Sequence, residues 1–229
     1  MFNRILAIAQ FTMLEEVRSK VLNATFLFAG VLVYFGLVLT KLAQGFEERF
    51  YRDIAFAFME FFGLAILLQS AYRVVRQDVR KGSSVEMFFV RPVRRWEYVV
   101  GRFFGIAALL WVGMAVMAGT QLGLAAIKSF ELRWFFGAVY LEVYLKLLIT
   151  LALAFFLGTV ATSQASYLIA SLLIYASGHV THMLRALLEK NPEAGLSILL
   201  LKPITYALPN FSLYQTVNNV EAIMSKAVA

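Results

Sequence analysis

Long apolar runs with few or no charges, separated by charged segments, set the plan of this chain. Val21–Thr40 is twenty residues without a charge, the length that crosses a hydrocarbon core of about 30 Å. Ile54–Tyr72 is a second run and Val99–Ile127 a third. A fourth extends from Phe135 to Val160, and a fifth ends at Thr181 after the uncharged polar turn Thr159–Ser166. A helix continuous from Leu132 to Thr162 would measure about 46 Å at 1.5 Å per residue, so the first part of the fourth run is expected to protrude or tilt. The pattern predicts an all-α polytopic membrane protein, one transmembrane domain over 1–229, with spans near 21–40, 54–72, 99–127, 143–162 and 165–181.

The two ends differ from this pattern. In residues 1–20, Phe2, Ile5, Leu6, Ala9, Met13 and Val17 recur at helical spacing, and Arg4, Glu15, Glu16, Arg18 and Lys20 take the other side. That predicts an amphipathic helix lying in the membrane interface. Near the other end, Ser197–Leu201 and Ile204–Leu208 are split by Lys202-Pro203 and closed by Pro209. Neither run can span a bilayer, and together they predict a broken or re-entrant element, tolerated only within protein or along a cavity. Residues 211–229 are too polar to span, so 182–229 is expected to be an outer broken segment and tail.

Composition agrees with the pattern. The 229 residues are 61% hydrophobic and 15% charged, against about 45–50% and about 25% in soluble domains. The net charge of +7 does not indicate nucleic acid, because the basic residues gather between apolar runs as cytoplasmic loops do. The absence of cysteine excludes disulfides, Fe–S clusters and thiolate zinc sites. With the N-terminus inside, the inner segments hold eleven basic residues and the outer segments 41–53, 128–134 and 182–208 hold three, two and three. This predicts a cytoplasmic-membrane protein with its N-terminus inside.

Polar residues inside the runs are the first candidates for function. Glu60 and Gln69 lie in the second span. A carboxylate there costs roughly 2.5–3.5 kcal/mol by insertion scales, so it should face protein or a wet cavity. Glu60 and Gln69 are candidate pathway residues, with a packing hydrogen bond to a neighbouring helix, or a protonated carboxyl near the interface, as the competing assignment for Glu60. Glu142 and Lys146 stand at i, i+4 in the favourable order for a helical ion pair, and Trp134, Tyr140 and Tyr144 suit an aromatic belt. Gly101/Gly105 and Gly119/Gly123 have the spacing that lets helices approach closely. His179 and His182 form an H-x-x-H pair with no third ligand, so no metal site is assigned.

The segment Arg73–Gly105 is the long charged stretch between two apolar runs. It holds Arg73, Arg76, Arg80, Lys81, Arg91, Arg94, Arg95 and Arg102, interleaved with Asp78, Glu86 and Glu97. Within it, Gly82, Glu86, Arg91, Pro92, Val93, Arg95, Tyr98, Gly101 and Arg102 match in order the cytoplasmic loop pattern of ABC-2-type transporter permeases, with Phe89 in place of a leucine and Arg94 in place of a serine or threonine. The N-terminal helix with Glu15, Glu16 and Arg18 resembles that family's interface helix. Leu208-Pro209-Asn210 resembles its outer segment before a sixth span, which this chain does not show. The resemblance covers most of the chain.

The resemblance implies the permease subunit of an ATP-driven ABC transporter, an exporter by analogy, pairing with a second permease copy or paralogue and with separate ATPase subunits. ATP and Mg²⁺ would then bind the ATPase and not this chain, which has no G-x-x-x-x-G-K-[ST] phosphate loop. Gly82-Ser83-Ser84 would break the second helix, and Val85–Val90 would form a coupling helix ending before Pro92. Glu86 suits its N-terminal dipole. Arg91, Arg94 and Arg95 would meet ATPase acids or anionic headgroups. The coupling set is thus Gly82, Glu86, Arg91, Pro92, Arg94, Arg95, Tyr98 and Arg102. Two other readings remain: a non-transporting anchor or assembly subunit with the same loop, and, remotely, an intramembrane serine protease using Ser197 with His179 or His182 as base.

Overall fold

The computed structural model describes residues 2–18, 47–77, 94–128 and 136–190, short pieces of 27–38, and residues 209 and 211. Its elements are α1 (Phe2–Glu16), α2 (Glu47–Tyr72), α3 (Arg95–Ile127), α4 (Phe136–Val160) and α5 (Gln164–Lys190), with a π-helical turn, Arg73–Gln77, continuing α2. Among the described residues, Tyr51–Val75, Trp96–Ile127 and Gly137–Val160 are long and apolar enough to cross a membrane, which suggests a membrane protein. These are the second, third and fourth predicted spans. Most of the first, 21–40, lies outside the described residues. Its helical pieces bring Phe28 within 5.0 Å of the Phe62 ring and Phe35 within 5.8 Å of Phe58. The fifth predicted span is the first part of α5, a more polar helix that runs on to Lys190.

Charged residues at the rim of a span do not end its helix. α2 starts at Glu47, inside the segment 41–53 expected as a loop, because Glu47 and Glu48 suit a helix N-terminus and Arg49 and Arg52 are good helix formers. α3 likewise starts at Arg95 and not at Val99. Arg94 is extended, with φ −72° and ψ 143°, and its backbone N–H donates to Glu97 Oε2 at 3.1 Å. This is the carboxylate half of a capping box, and it accounts for the burial of Glu97. The polar turn before α5 also has a capping role. The Ser166 N–H donates to Ser163 Oγ, and the Ser163 N–H donates to Ser166 Oγ, both at 3.1 Å.

The core lies between α2, α3 and α4, where Met59, Leu67, Ile106, Leu110, Leu147 and Leu151 are fully enclosed. Phe61, Trp111, Phe156 and Leu173 are more than half exposed, the outward apolar surface that lipid would cover. At one end, Gln121 ties the three helices together. Its Nε2 donates to the Ala55 carbonyl at 2.7 Å, its backbone carbonyl accepts from Tyr51 at 2.9 Å, and its Oε1 accepts from Tyr140 at 2.9 Å. Tyr144 donates to the Ala107 carbonyl at 3.2 Å. The tyrosines expected in an aromatic belt therefore point their hydroxyls into the bundle, where each finds an acceptor. Trp134 lies outside the described residues.

α1 packs along α3, and two glycines allow it. A Cβ at Gly105 would sit 2.5 Å from Thr12 Cβ and 2.8 Å from the Ala9 carbonyl oxygen; one at Gly101 would sit 2.7 Å from Ile8 Cβ. The second predicted pair makes no such approach, since a Cβ at Gly119 or Gly123 would meet nothing within 4 Å. The buried stripe of α1 is Ile8, Thr12 and Glu16, while Leu6, Phe11 and Leu14 are about half exposed. This corrects the predicted apolar face by roughly a quarter of a turn. The helix turns two carboxylates inward because α2 and α3 supply partners for them, which periodicity in α1 alone cannot register.

Candidate functional site: two buried charge clusters

The first cluster joins the end of α1 to the two stems of the charged segment. Glu15 and Glu16 are adjacent and point to different helices. Glu15 Oε2 accepts from Arg102 Nη1 at 2.6 Å. Arg102 Nε donates to Tyr98 Oη at 3.1 Å, and its guanidinium lies 5.3 Å from the Tyr98 ring centre and 5.7 Å from that of Phe11, within cation–π range. Arg102 is wholly buried, so its charge is met by a carboxylate, a phenol and two ring faces. Glu16, also buried, accepts from Ser70 Oγ at 2.8 Å and pairs with Arg73 Nε at 3.7 Å. One turn of α1 thus grips the stem leaving α2 and the stem entering α3.

Burial raises the Glu16 carboxyl above the usual 4.5, against the Ser70 hydrogen bond and the Arg73 charge. The folded state then holds this proton more tightly than the unfolded chain does. Stability is therefore expected to rise as pH falls through the raised folded value towards 4.5, because the native state binds more protons in that window. Thermal unfolding across pH 4.5–7.5 checks this: the rise should vanish in Glu16→Gln, and an unchanged profile in that variant would remove Glu16 as its source.

The second cluster sits inside the bundle and gathers on one carboxylate oxygen. Glu60 Oε1 of α2 accepts from Tyr175 Oη at 2.5 Å, lies 3.4 Å from Lys146 Nζ of α4, and lies 3.4 Å from His179 Nε2 of α5. The other ring nitrogen of His179, Nδ1, faces the Tyr175 carbonyl at 3.2 Å. Both nitrogens face acceptors, so only a doubly protonated ring donates to both. Phe211, enclosed itself, closes one side, with its ring centre 5.6 Å from Tyr175 and 5.4 Å from His179. This contact depends on Gly178, where a Cβ would lie 2.5 Å from the Phe211 ring. The cluster links three helices by charge.

No known family model matches this chain, and no curated protein does.

The predicted residues are distributed as follows. Tyr98, Arg102, Glu15 and Glu16 come together in the first cluster, although the sequence places them in two separate elements. Arg102 faces α1 and is enclosed. Arg94 is exposed at the start of α3, and Arg18 is exposed just past α1. Arg95 is helical, with its side chain outside the described residues. Gly82, Glu86, Arg91 and Pro92 lie outside the described residues, as does Ser197. Glu60 is the hub of the second cluster, and Gln69 is exposed on α2 away from it. Lys146 reaches across to Glu60 on another helix, beyond the pairing with Glu142 that its spacing suggested.

Sequence reasoning missed Ser70, Lys146 as the partner of Glu60, Tyr175 and Phe211. The one usable signal was the cost of a carboxylate and an ammonium in apolar runs: each needs a partner, and Glu60 and Lys146 are the natural pair. Nothing in the spacing of Tyr175 or Phe211 separates them from other aromatic residues.

Proposed function

We propose that this chain is the permease subunit of an ATP-driven ABC-2-type exporter, inserted in the cytoplasmic membrane with its N-terminus inside. The observation that carries the reading is the clamp of adjacent carboxylates, Glu15 on Arg102 and Glu16 on Ser70 and Arg73. The charged segment 78–93 leaves and returns through helices that share one small helix, so a force on that segment is delivered to α1, α2 and α3 together. The order of residues matching the permease loop supports the same reading. In this reading the energy comes from a separate ATPase subunit.

In this mechanism, ATPase closure pushes on 78–93, and the clamp converts the push into a shift of α2 against α3. α2 carries Glu60, whose contacts to α4 and α5 register the shift in the interior. Such a device has two states when the charge clusters have two satisfied arrangements, and the ATPase biases them through its differential contact with the loop. A second permease copy completes the pathway.

The test is co-purification. The tagged full chain is expressed with its co-transcribed neighbours, extracted in mild detergent, and examined for a bound ATPase. An ATPase should elute with the wild type and be lost in Glu86→Ala and in the Arg91→Ala/Arg95→Ala double variant. Absence of any ATPase with all neighbours present defeats the proposal.

A further inference from the structure

Beside the second cluster, on the outer face of the bundle, α2 and α5 border a groove of about 720 Å³. It lies within the size range of small-molecule sites, about 300–1,000 Å³. Most of its wall is apolar: Phe61, Leu64, Ala65 and Leu68 from α2, with Leu168 and Leu172 from α5. Its polar groups are Gln69, Tyr72, Arg73 and Gln164, and all stand towards one end, where the clamp and the α4–α5 turn lie. From Phe61 to Arg73 the helix rises about 18 Å at 1.5 Å per residue. That is close to one leaflet, half of a core of roughly 30 Å. The groove is therefore one leaflet long, greasy along its length, and cationic where the headgroups would be.

We propose that this groove binds one anionic phospholipid from the leaflet on the α1 side. An acyl chain lies between α2 and α5, the phosphate meets Arg73, and Gln69 and Gln164 donate to the headgroup oxygens. Arg73 uses Nε towards Glu16 at 3.7 Å, and a guanidinium has further N–H donors for a phosphate. The charge at the polar end matches an anionic headgroup and gives a zwitterionic one no comparable advantage. The lipid shares Arg73 with the clamp, so its binding bears on how firmly α1 is held. This inference needs only that the chain sits in a membrane and is independent of the transport reading.

The test uses the full chain reconstituted in nanodiscs of equal phosphatidylglycerol and phosphatidylcholine, then transferred to mild detergent. Phospholipid retained per chain is counted by native mass spectrometry. The wild type should favour phosphatidylglycerol by about five-fold, the effect of one basic residue near a lipid headgroup. Arg73→Gln should lose the preference and still hold lipid. Glu16→Gln breaks the clamp but leaves Arg73, and should keep the preference. Ala65→Trp fills the groove and should lose the retained lipid, as should Leu172→Trp from the facing helix. Equal retention in the wild type and both tryptophan variants overturns the proposal, and so does a preference that survives Arg73→Gln. A tryptophan variant that turns a dimer into a monomer while lipid is unchanged assigns the groove to a second copy and likewise overturns it.

Discussion

Replacing Glu15 with alanine will lower the stability of the detergent-purified protein by about 3 kcal/mol, the low end of the range for stranding one member of a buried ion pair. The asymmetry of the pair sets the expectation. The Arg102 side chain is 1% exposed and that of Glu15 is 32% exposed. Without Glu15, an enclosed guanidinium loses the carboxylate it donates to at 2.6 Å and keeps its bond to the Tyr98 hydroxyl. Arg102→Met should cost less, because the carboxylate left behind is already partly solvated and the methionine retains much of the packing. Unfolding titrations with a denaturing detergent check both variants. Equal costs, or a Glu15→Ala cost under about 1 kcal/mol, as for exposed pairs, would sink the account of the clamp. In the proposed function, Glu15→Ala should also uncouple: the ATPase still binds, and its hydrolysis no longer responds to substrate.

Glu60→Ala should be at least as costly, about 3–5 kcal/mol. It takes from the Lys146 ammonium, on a side chain 7% exposed, the carboxylate 3.4 Å away, and it removes the acceptor for the Tyr175 hydroxyl. The informative experiment is the double variant Glu60→Met/Lys146→Met. Breaking a buried pair by removing one partner is expensive, whereas replacing both with apolar side chains of similar volume is close to neutral. The double variant should therefore recover most of the stability lost in Glu60→Ala. A double variant whose loss equals the sum of those of Glu60→Met and Lys146→Met would show that Glu60 and Lys146 are not coupled. Glu60→Gln keeps an acceptor for Tyr175 and loses the charge, so it should fall between Glu60→Ala and the wild type.

The two clusters differ in how far they could be read in advance. Glu60 stood out because a carboxylate in an apolar run needs an explanation, and Lys146 stood out for the same reason. Their pairing did not, because Lys146 has a nearer acid at Glu142 and local spacing favours that choice. The resemblance makes Arg102 and Tyr98 parts of a water-facing loop. The structure places them on the first turns of α3, turned towards α1, because Gly101 and Gly105 let that helix come close enough for Glu15 to reach. The glycine spacing was visible; which helix would occupy it was not.

Hydrophobic length alone determined that α2, α3 and α4 exist, that they are helical, and that they are suited to a membrane, since about 20 apolar residues in succession have few other stable forms. Turn chemistry was equally local: Ser163 and Ser166 cap α5, and Glu97 caps α3. The side of α1 that is buried, the partner of Lys146, and the closure of the Glu60 cluster by Phe211 were decided only in three dimensions. Each is a contact between residues far apart in the chain. A charge in an apolar setting specifies that it must be matched, and the packing of the helices selects the group that matches it.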